Sequence, residues 1–445
     1  MTQVLIVSLG GSPDPIVNCI DSLRPERVVF LCSEASREQV DAVLSRVHLP
    51  TFDAERDVEV LQQRLSASQG EEVINELDQL DRIYSRSLDL IQRVRTEEPG
   101  RAITVDYTGG TKSMTAGLAM AAIDDRAVRI SLTTHERAKG QQALSGHSSP
   151  GSVSVAAIQA RRLRDLELPA LLARYDYDAA RLAVGRIRRL PDQDANTARF
   201  LGRLEDLLVV LDAWDRFDHL QAVNLLVRLG ERRLDASLLF PLKLVIGSRR
   251  LLDKQAEEDR WPSMRGHGLE AVEDLLRNAE RRASQSRYDD AVGRLYRAME
   301  LTAQILLKID VKNKTGGAGI DTGDVAIERL PEAIRSAYEQ KRDQRAEDGK
   351  LKIGLQDSYD LLAALEHPVG LRWSENRSRL VDRLQIRNNS LFAHGFASIQ
   401  YQQWKSLQEA FGGFLQSAID DALQRGKGTA LAQLPSQLQD LLLLE

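Results

Sequence analysis

Residues 102–123 read AITVDYTGGTKSMTAGLAMAAI, and the order of events in this stretch sets the fold of the first third of the chain. An apolar, β-rich run, Ala102–Tyr107, leads into a Gly-Gly turn carrying Thr, Lys and Ser, and the helical pattern Thr115–Ile123 follows. Working outward, Val4–Leu9, Arg27–Cys32, Val128–Thr134 and Ser152–Ala157 read as further strands, with amphipathic or charged helical runs between them. Strands that are apolar throughout and joined by helices form a parallel sheet covered on both faces. Residues 1–160 are therefore expected to form an α/β, Rossmann-like domain with a doubly wound, mostly parallel sheet. In such sheets ligands bind beyond the carboxyl ends of the strands. The Gly/Ser/Gln-rich segment Gly140–Gly151 is expected to be a loop before the last strand.

Beyond Ala160 the strand signal vanishes. Apolar residues recur at helical spacing, as in Leu201, Leu204, Leu207, Leu208 and Leu211, so the rest of the chain reads as all-α. We expect an all-α helical linker over residues 161–265 and a second all-α domain over 266–445. Three short strings echo one another: Arg174-Tyr-Asp-Tyr-Asp-Ala-Ala, Asp215-Arg-Phe-Asp-His-Leu-Gln-Ala and Arg287-Tyr-Asp-Asp-Ala. Their irregular spacing suits a packing device in helical hairpins better than a repeat array.

Composition narrows the class. Hydrophobic residues at 42% and charged residues at 28% suit a soluble globular protein, and no apolar run approaches the roughly 18 residues of a membrane span. A cytoplasmic protein without a membrane role is expected, because Val4–Leu9 has neither a basic segment before it nor a cleavage site after it. The two cysteines, Cys19 and Cys32, fall in core-like segments and suggest neither a disulfide framework nor a zinc site. A net charge of -5 argues against a general nucleic-acid coat, so any RNA contact is local and stable DNA binding is not expected.

Two Gly-rich turns follow strands: Gly10-Gly11-Ser12, and Thr108-Gly109-Gly110-Thr111-Lys112-Ser113. Glycines let the backbone approach an anion, amides at a helix start point at it, hydroxyls donate, and Lys112 supplies charge. Together they describe a phosphate cradle. A Walker loop requires Lys directly after the last Gly, but Thr111 intervenes, and a dinucleotide fingerprint requires Gly-x-Gly-x-x-Gly, whereas only Gly pairs occur. These two turns resemble those of CARF domains from CRISPR-associated ribonucleases of type III systems. The resemblance implies a cyclic oligoadenylate activator, tetra-adenylate rather than hexa-adenylate, bound at a dimer axis by Gly10, Gly11, Ser12, Thr108, Gly109, Gly110, Thr111, Lys112 and Ser113. Some members of that family also cut their own activator with a loop hydroxyl, for which Ser12 or Thr111 would serve here.

Residues 379–395 read RLVDRLQIRNNSLFAHG. Leu380, Leu384 and Leu391 share one helical stripe. Arg387 and His394, seven residues apart, would stand near one face about 10 Å apart along a continuous helix. The poor helix formers Asn388, Asn389 and Ser390 would bring them closer by bending or starting the helix there. RNA is cleaved without metal when a base takes the 2′-hydroxyl proton, an acid protonates the leaving 5′-oxygen and a cation stabilises the phosphorus-centred charge. Histidine does the proton work near neutral pH, and a permanently charged arginine fork suits phosphate. No metal-binding cluster such as His-Glu-x-x-His is present, so neither a metal site nor another cofactor is expected.

Arg387-Asn388 with six residues between Arg and His resembles the signature of HEPN ribonucleases, and the run from Tyr288 through Arg294, Arg297 and Glu300 resembles their opening helix. That resemblance implies a catalytic Arg387 and His394 oriented by Asn388, a homodimer whose two Arg-His sets line one cleft, and a single-stranded RNA substrate. Arg383 and Arg379, each one turn farther along the same face, are candidate RNA contacts. The reading is a cyclic-oligoadenylate-activated, metal-independent endoribonuclease of type III CRISPR antiviral defence, giving 2′,3′-cyclic phosphates. Two alternatives stay open: a non-catalytic nucleotide-sensing regulator, and a ring nuclease that degrades the cyclic oligoadenylate.

Overall fold

The computed structural model describes residues 3–62, 76–125, 128–135, 148–190, 193–230, 235–252, 263–309, 325, 327–345, 351, 353–390, 395–425 and 429–443. The chain divides into two compact units: residues 1–160 with 190–194, and residues 161–189 with 195–445.

The first unit is built on a six-stranded sheet in the order β3-β2-β1-β4-β5-β6. The strands are β1 (Gln3–Leu9), β2 (Arg27–Ser33), β3 (Val58–Leu61), β4 (Ala102–Asp106), β5 (Arg129–His135) and β6 (Ser148–Ser152). The first five run parallel, and β6 pairs antiparallel with β5. Alternation along the central strands sorts side chains between two cores. Val4, Ile6, Val29, Leu31, Ile103 and Val105 pack with Ile83, Leu90, Met114 and Leu118 on one face. Leu5, Val7, Leu9, Val28, Phe30 and Cys32 pack with Ile16, Cys19, Ile20 and Val40 on the other. The expected doubly wound, mostly parallel α/β fold is what the chain adopts.

Two edge strands differ from the sequence reading. The last strand is not Ser152–Ala157 but Ser148–Ser152, and Ala156 already opens a helix that runs to Arg162. Ser148-Ser-Pro-Gly-Ser lacks any apolar run because β6 is an edge strand, where Pro150 is tolerated. Residues 148–151 of the expected loop thus belong to β6, and residues 140–147 lie outside the described residues. At the opposite edge β3 is only four residues long, too short to show a period.

Among the described residues the second unit holds helices and no named strand. The echoing strings turn out to be turns between helices. Tyr175 and Phe217 take left-handed backbone conformations (φ 54° and 69°). Asp176 and Asp218 directly after them cap the next helices by accepting from Ala179 N and Gln221 N. At the third string the left-handed residue is Ser286, directly before the string begins and two positions before its aromatic Tyr288 (φ 61°).

The helices Ala195–Asp215, His219–Leu229 and Phe240–Arg249 are joined to Glu270–Ser284 by a buried polar cluster. Asp215 accepts from Arg281 Nε at 2.7 Å, from Asn278 at 3.1 Å and from Arg282. His219 contacts Asp274 through Nε2 at 2.8 Å and Arg249 through Nδ1 at 3.2 Å. A guanidinium only donates, so Nδ1 is the acceptor and Nε2 carries the proton. Burial, opposed by Asp274, pushes His219 below its ordinary value and keeps it neutral. A separate apolar core gathers the later helices around Trp373, stacked on Tyr359 with ring centroids 4.7 Å apart. Among the described residues no helix is long and apolar enough to cross a membrane.

Candidate functional site

β1 and β4 lie side by side at the middle of the sheet. The chain leaves them for helices on opposite faces, Asp14–Leu23 after β1 and Lys112–Asp124 after β4. This is the switch point at which doubly wound sheets open a crevice, and both Gly-Gly turns sit there. The Ser8 hydroxyl donates to the Gly109 carbonyl at 2.5 Å, tying the turns together. The approach is so close that a Cβ on Gly109 would stand 2.3 Å from the Ser8 carbonyl oxygen. The helix starts at Lys112, three residues before the expected Thr115, because the Thr111 hydroxyl caps it by accepting from Met114 N at 3.2 Å. Gly11, Ser12, Thr111 and Lys112 are exposed, and Gly10, Thr108, Gly109, Gly110 and Ser113 half-buried; all nine predicted contacts lie beyond the carboxyl ends of the central strands β1 and β4.

Beneath the turn lies a group the sequence reading did not single out. Asp106 is fully buried. Its Oδ1 accepts from Thr108 N at 3.0 Å, and its Oδ2 accepts from the Thr133 hydroxyl at 3.1 Å and the Cys19 thiol at 3.5 Å. Thr133 N donates in turn to the Thr108 hydroxyl at 2.7 Å. Burial, with the Asp106 charge beside it, pushes the Cys19 thiol up to about 12, so it stays protonated and donates. Asp106→Ala would leave buried donors unpaired, at about 1–3 kcal/mol each. We expect a lowered thermal midpoint, with a smaller drop for Asp106→Asn, which keeps an acceptor for Thr108 N. Wild-type melting of the alanine variant would show that Asp106 does not anchor the turn.

In the second unit Arg387 sits in the last turn of the helix Pro368–Asn388. That helix starts with Pro368 at its first position and His367 as its cap, accepting from Val369 N at 3.2 Å. A cation in the last turn suits the helix dipole. The guanidinium carbon lies 4.2 Å from the centroid of the Tyr296 ring, and NH1 donates to Asn388 Oδ1 at 3.4 Å. Burial, reinforced by Glu300, raises the Tyr296 hydroxyl above its ordinary value, so the ring beneath the cation is neutral.

The helix ends at Asn388, which replaces the single continuous helix considered for Arg387 to His394. His394, with Leu391, lies outside the described residues. The flanks are held firmly. Ser390 donates from its hydroxyl to the Arg387 carbonyl at 2.7 Å, Gly395 N donates to the Ser390 carbonyl at 3.2 Å, and Ala397 N donates to the Asn389 carbonyl at 3.3 Å. Arg379 is exposed and Arg383 half-buried, two turns and one turn respectively before Arg387 on the same helix. Sequence reasoning missed Tyr296, because no local pattern links it to a residue 91 positions away. Asp106 did leave a trace, as an acid closing an otherwise apolar strand.

Comparison with known proteins adds to this geometry. Residues 264–417 match the family model described as Csm6 HEPN domain, a span that includes both Arg387 and His394. No curated protein matches the chain. Among solved structures, the chain is similar to Enterococcus italicus Csm6 bound to cyclic hexa-2′-fluoro-hexa-dAMP, with a TM-score of 0.55 and 13% sequence identity over 95% of each chain. At that identity the likeness is one of fold. It spans both units, the α/β sheet and the helices that follow it.

Proposed function

We propose that this chain is a cyclic-oligoadenylate-activated, metal-independent endoribonuclease of type III CRISPR defence, with a CARF-like sensor at residues 1–160, a helical linker at 161–265 and a HEPN nuclease at 266–445. The observation that carries the reading is that the Csm6 HEPN match falls on the helix whose last turn holds Arg387, with a half-buried guanidinium held over an aromatic ring. A cation fixed in this way is preorganised for phosphate, and its fork can bind two oxygens at once.

In the proposed reaction His394 takes the proton from a ribose 2′-hydroxyl. The 2′-oxygen attacks the adjacent phosphorus, the bond to the 5′-oxygen breaks, and that oxygen leaves with a proton from a second acid. Arg387 neutralises the charge gathering on the phosphoryl oxygens, and Asn388 orients it. The products are a 2′,3′-cyclic phosphate and a 5′-hydroxyl. One histidine per chain supplies one proton-transfer group, so two copies pair as a homodimer and share one cleft. Arg383 and Arg379 guide single-stranded RNA along the same helix.

The cradle at the β1–β4 switch point takes the activator. A phosphate-rich ring suits the exposed amides and hydroxyls there, and the relative similar in fold holds a cyclic hexanucleotide, so the tetra- and hexa-adenylate rings are both to be assayed. Activator added to purified protein in EDTA is expected to start cutting of single-stranded RNA and leave cyclic phosphate ends. Lys112→Ala removes a charge from the cradle and should raise the activator concentration for half-maximal cutting by about tenfold, with the maximal rate retained. An unchanged midpoint would remove Lys112 from the cradle. Ligand binding without cutting of any RNA would favour a regulator, and loss of the ring without damage to RNA would favour a ring nuclease.

A further inference from the structure

A cleft of about 450 Å³ opens beside Arg387, within the size range of about 300–1,000 Å³ typical of small-ligand sites. Tyr296, Gln356, Asp357, Asp360, Arg377 and Asn388 supply its polar lining. We propose that this cleft is a guanine-selective base pocket for the RNA substrate, a proposal that rests on the nuclease reading above.

Position carries the first part of the case. Tyr296 lies under the Arg387 guanidinium, and Asn388 accepts a hydrogen bond from it. The same two residues line the cleft. A nucleotide whose phosphate is held by Arg387 therefore places its base at the cleft mouth, with an aromatic ring at hand for stacking.

Charge carries the second part. Asp360 faces Arg377, and Asp357 is paired with Lys341 Nζ at 3.2 Å, so the lining carries no net positive charge to draw a second phosphate and suits a neutral group rich in N–H donors. Asp357 and Asp360 stand three residues apart on the helix Leu355–Ala364, the spacing at which side chains share a face. The Asp360 carboxylate is oriented from behind by the buried Trp373, whose Nε1 donates to Oδ1 at 3.1 Å. On its open side it meets Arg377 Nε and NH2 at 3.3 Å each. That pair is largely exposed, 48% for Arg377 and 31% for Asp360, so it holds weakly and yields to a better partner.

The pattern of donors and acceptors carries the third. Guanine is the base that presents two adjacent N–H donors next to a carbonyl acceptor on its pairing edge. A carboxylate accepts both donors, while Arg377 or the side-chain amide of Gln356 or Asn388 is available to donate to the carbonyl. Adenine and cytosine each present one exocyclic amine beside a ring acceptor, and that acceptor would face a carboxylate oxygen.

Two measurements on the full chain test the assignment. The first sequences the new 5′ ends made from a randomised RNA pool by activated protein. Guanine is expected at one position next to the cut with an enrichment of about tenfold, within the discrimination one bidentate pair provides. Asp360→Asn, which keeps an acceptor for Trp373, should erase most of that enrichment, and Asp357→Asn should reduce it. The second measures binding of guanosine 3′-monophosphate by calorimetry, beside the adenosine, cytidine and uridine equivalents, and needs no cutting. The guanosine nucleotide should bind about tenfold tighter than the others, and only while Asp360 is present.

Cutting with no guanine enrichment, or with enrichment that Asp360→Asn leaves intact, overturns the pocket and leaves the nuclease reading standing. Selective, Asp360-dependent binding in a chain that cuts no RNA upholds the pocket and overturns the nuclease reading. Enrichment for a different base overturns the choice of guanine.

Discussion

Alanine at position 394 is expected to stop RNA cutting, with the rate falling by about 10²–10⁴, the contribution of a positioned proton-transfer group. The homodimer and activator binding should be unaffected, as judged by sedimentation and calorimetry. Arg387→Ala should cost a similar factor by a different route, through loss of the cation held over Tyr296. Arg387→Lys separates charge from shape: it restores a positive group without the planar fork, so it should recover only a minor part of the activity. The two alanine variants combined should lose little more than either alone, because residues that act as one unit are not additive. Wild-type cutting by the His394 variant would place the chemistry elsewhere in the chain.

The second large effect is expected from Gly395→Ala. A Cβ at this position would stand 2.0 Å from the Asn389 carbonyl oxygen. That backbone carbonyl, which accepts from Ala397 N, belongs to the same clasp that closes on the Arg387 carbonyl. The backbone must shift to admit one methyl group, and a displacement near 1 Å in a catalytic arrangement costs about a hundredfold. We expect cutting to fall by about that factor with the activation midpoint and oligomeric state unchanged. A variant with wild-type turnover would show that the clasp does not set the catalytic geometry.

What was legible in the sequence follows from what is local. Strands β1, β2 and β4 are buried on both faces, so their apolar runs announce them, and the Gly-Gly turns after β1 and β4 mark the switch point by composition alone. The edge strands were hidden for the converse reason: β3 is short, and Ser148–Ser152 has nothing apolar to show. Arg387 stood out as a candidate through its spacing to His394 and the family resemblance. Tyr296 and the Asp357–Asp360 face did not, since they come near Arg387 by tertiary packing from helices with no shared local pattern. The helix end at Asn388 was half visible in the run Asn-Asn-Ser, whose side chains compete with helix hydrogen bonding.

The cluster around Asp215 also bears on how this molecule can be dissected. Asp215, His219 and Arg249 come from before residue 250, whereas Asp274, Asn278, Arg281 and Arg282 come from after residue 270. A truncated protein starting at residue 266 would take Asp215 from Asn278, Arg281 and Arg282 and His219 from Asp274, leaving Arg281 with Gln433 and Asp274 and Arg282 with Gln285, and each severed buried ion pair costs about 3–5 kcal/mol. With total stabilities of about 5–15 kcal/mol, such a piece would emerge misfolded. The part of the chain that matches the HEPN family model is not a transplantable cassette; moving it elsewhere means carrying the preceding helices with it.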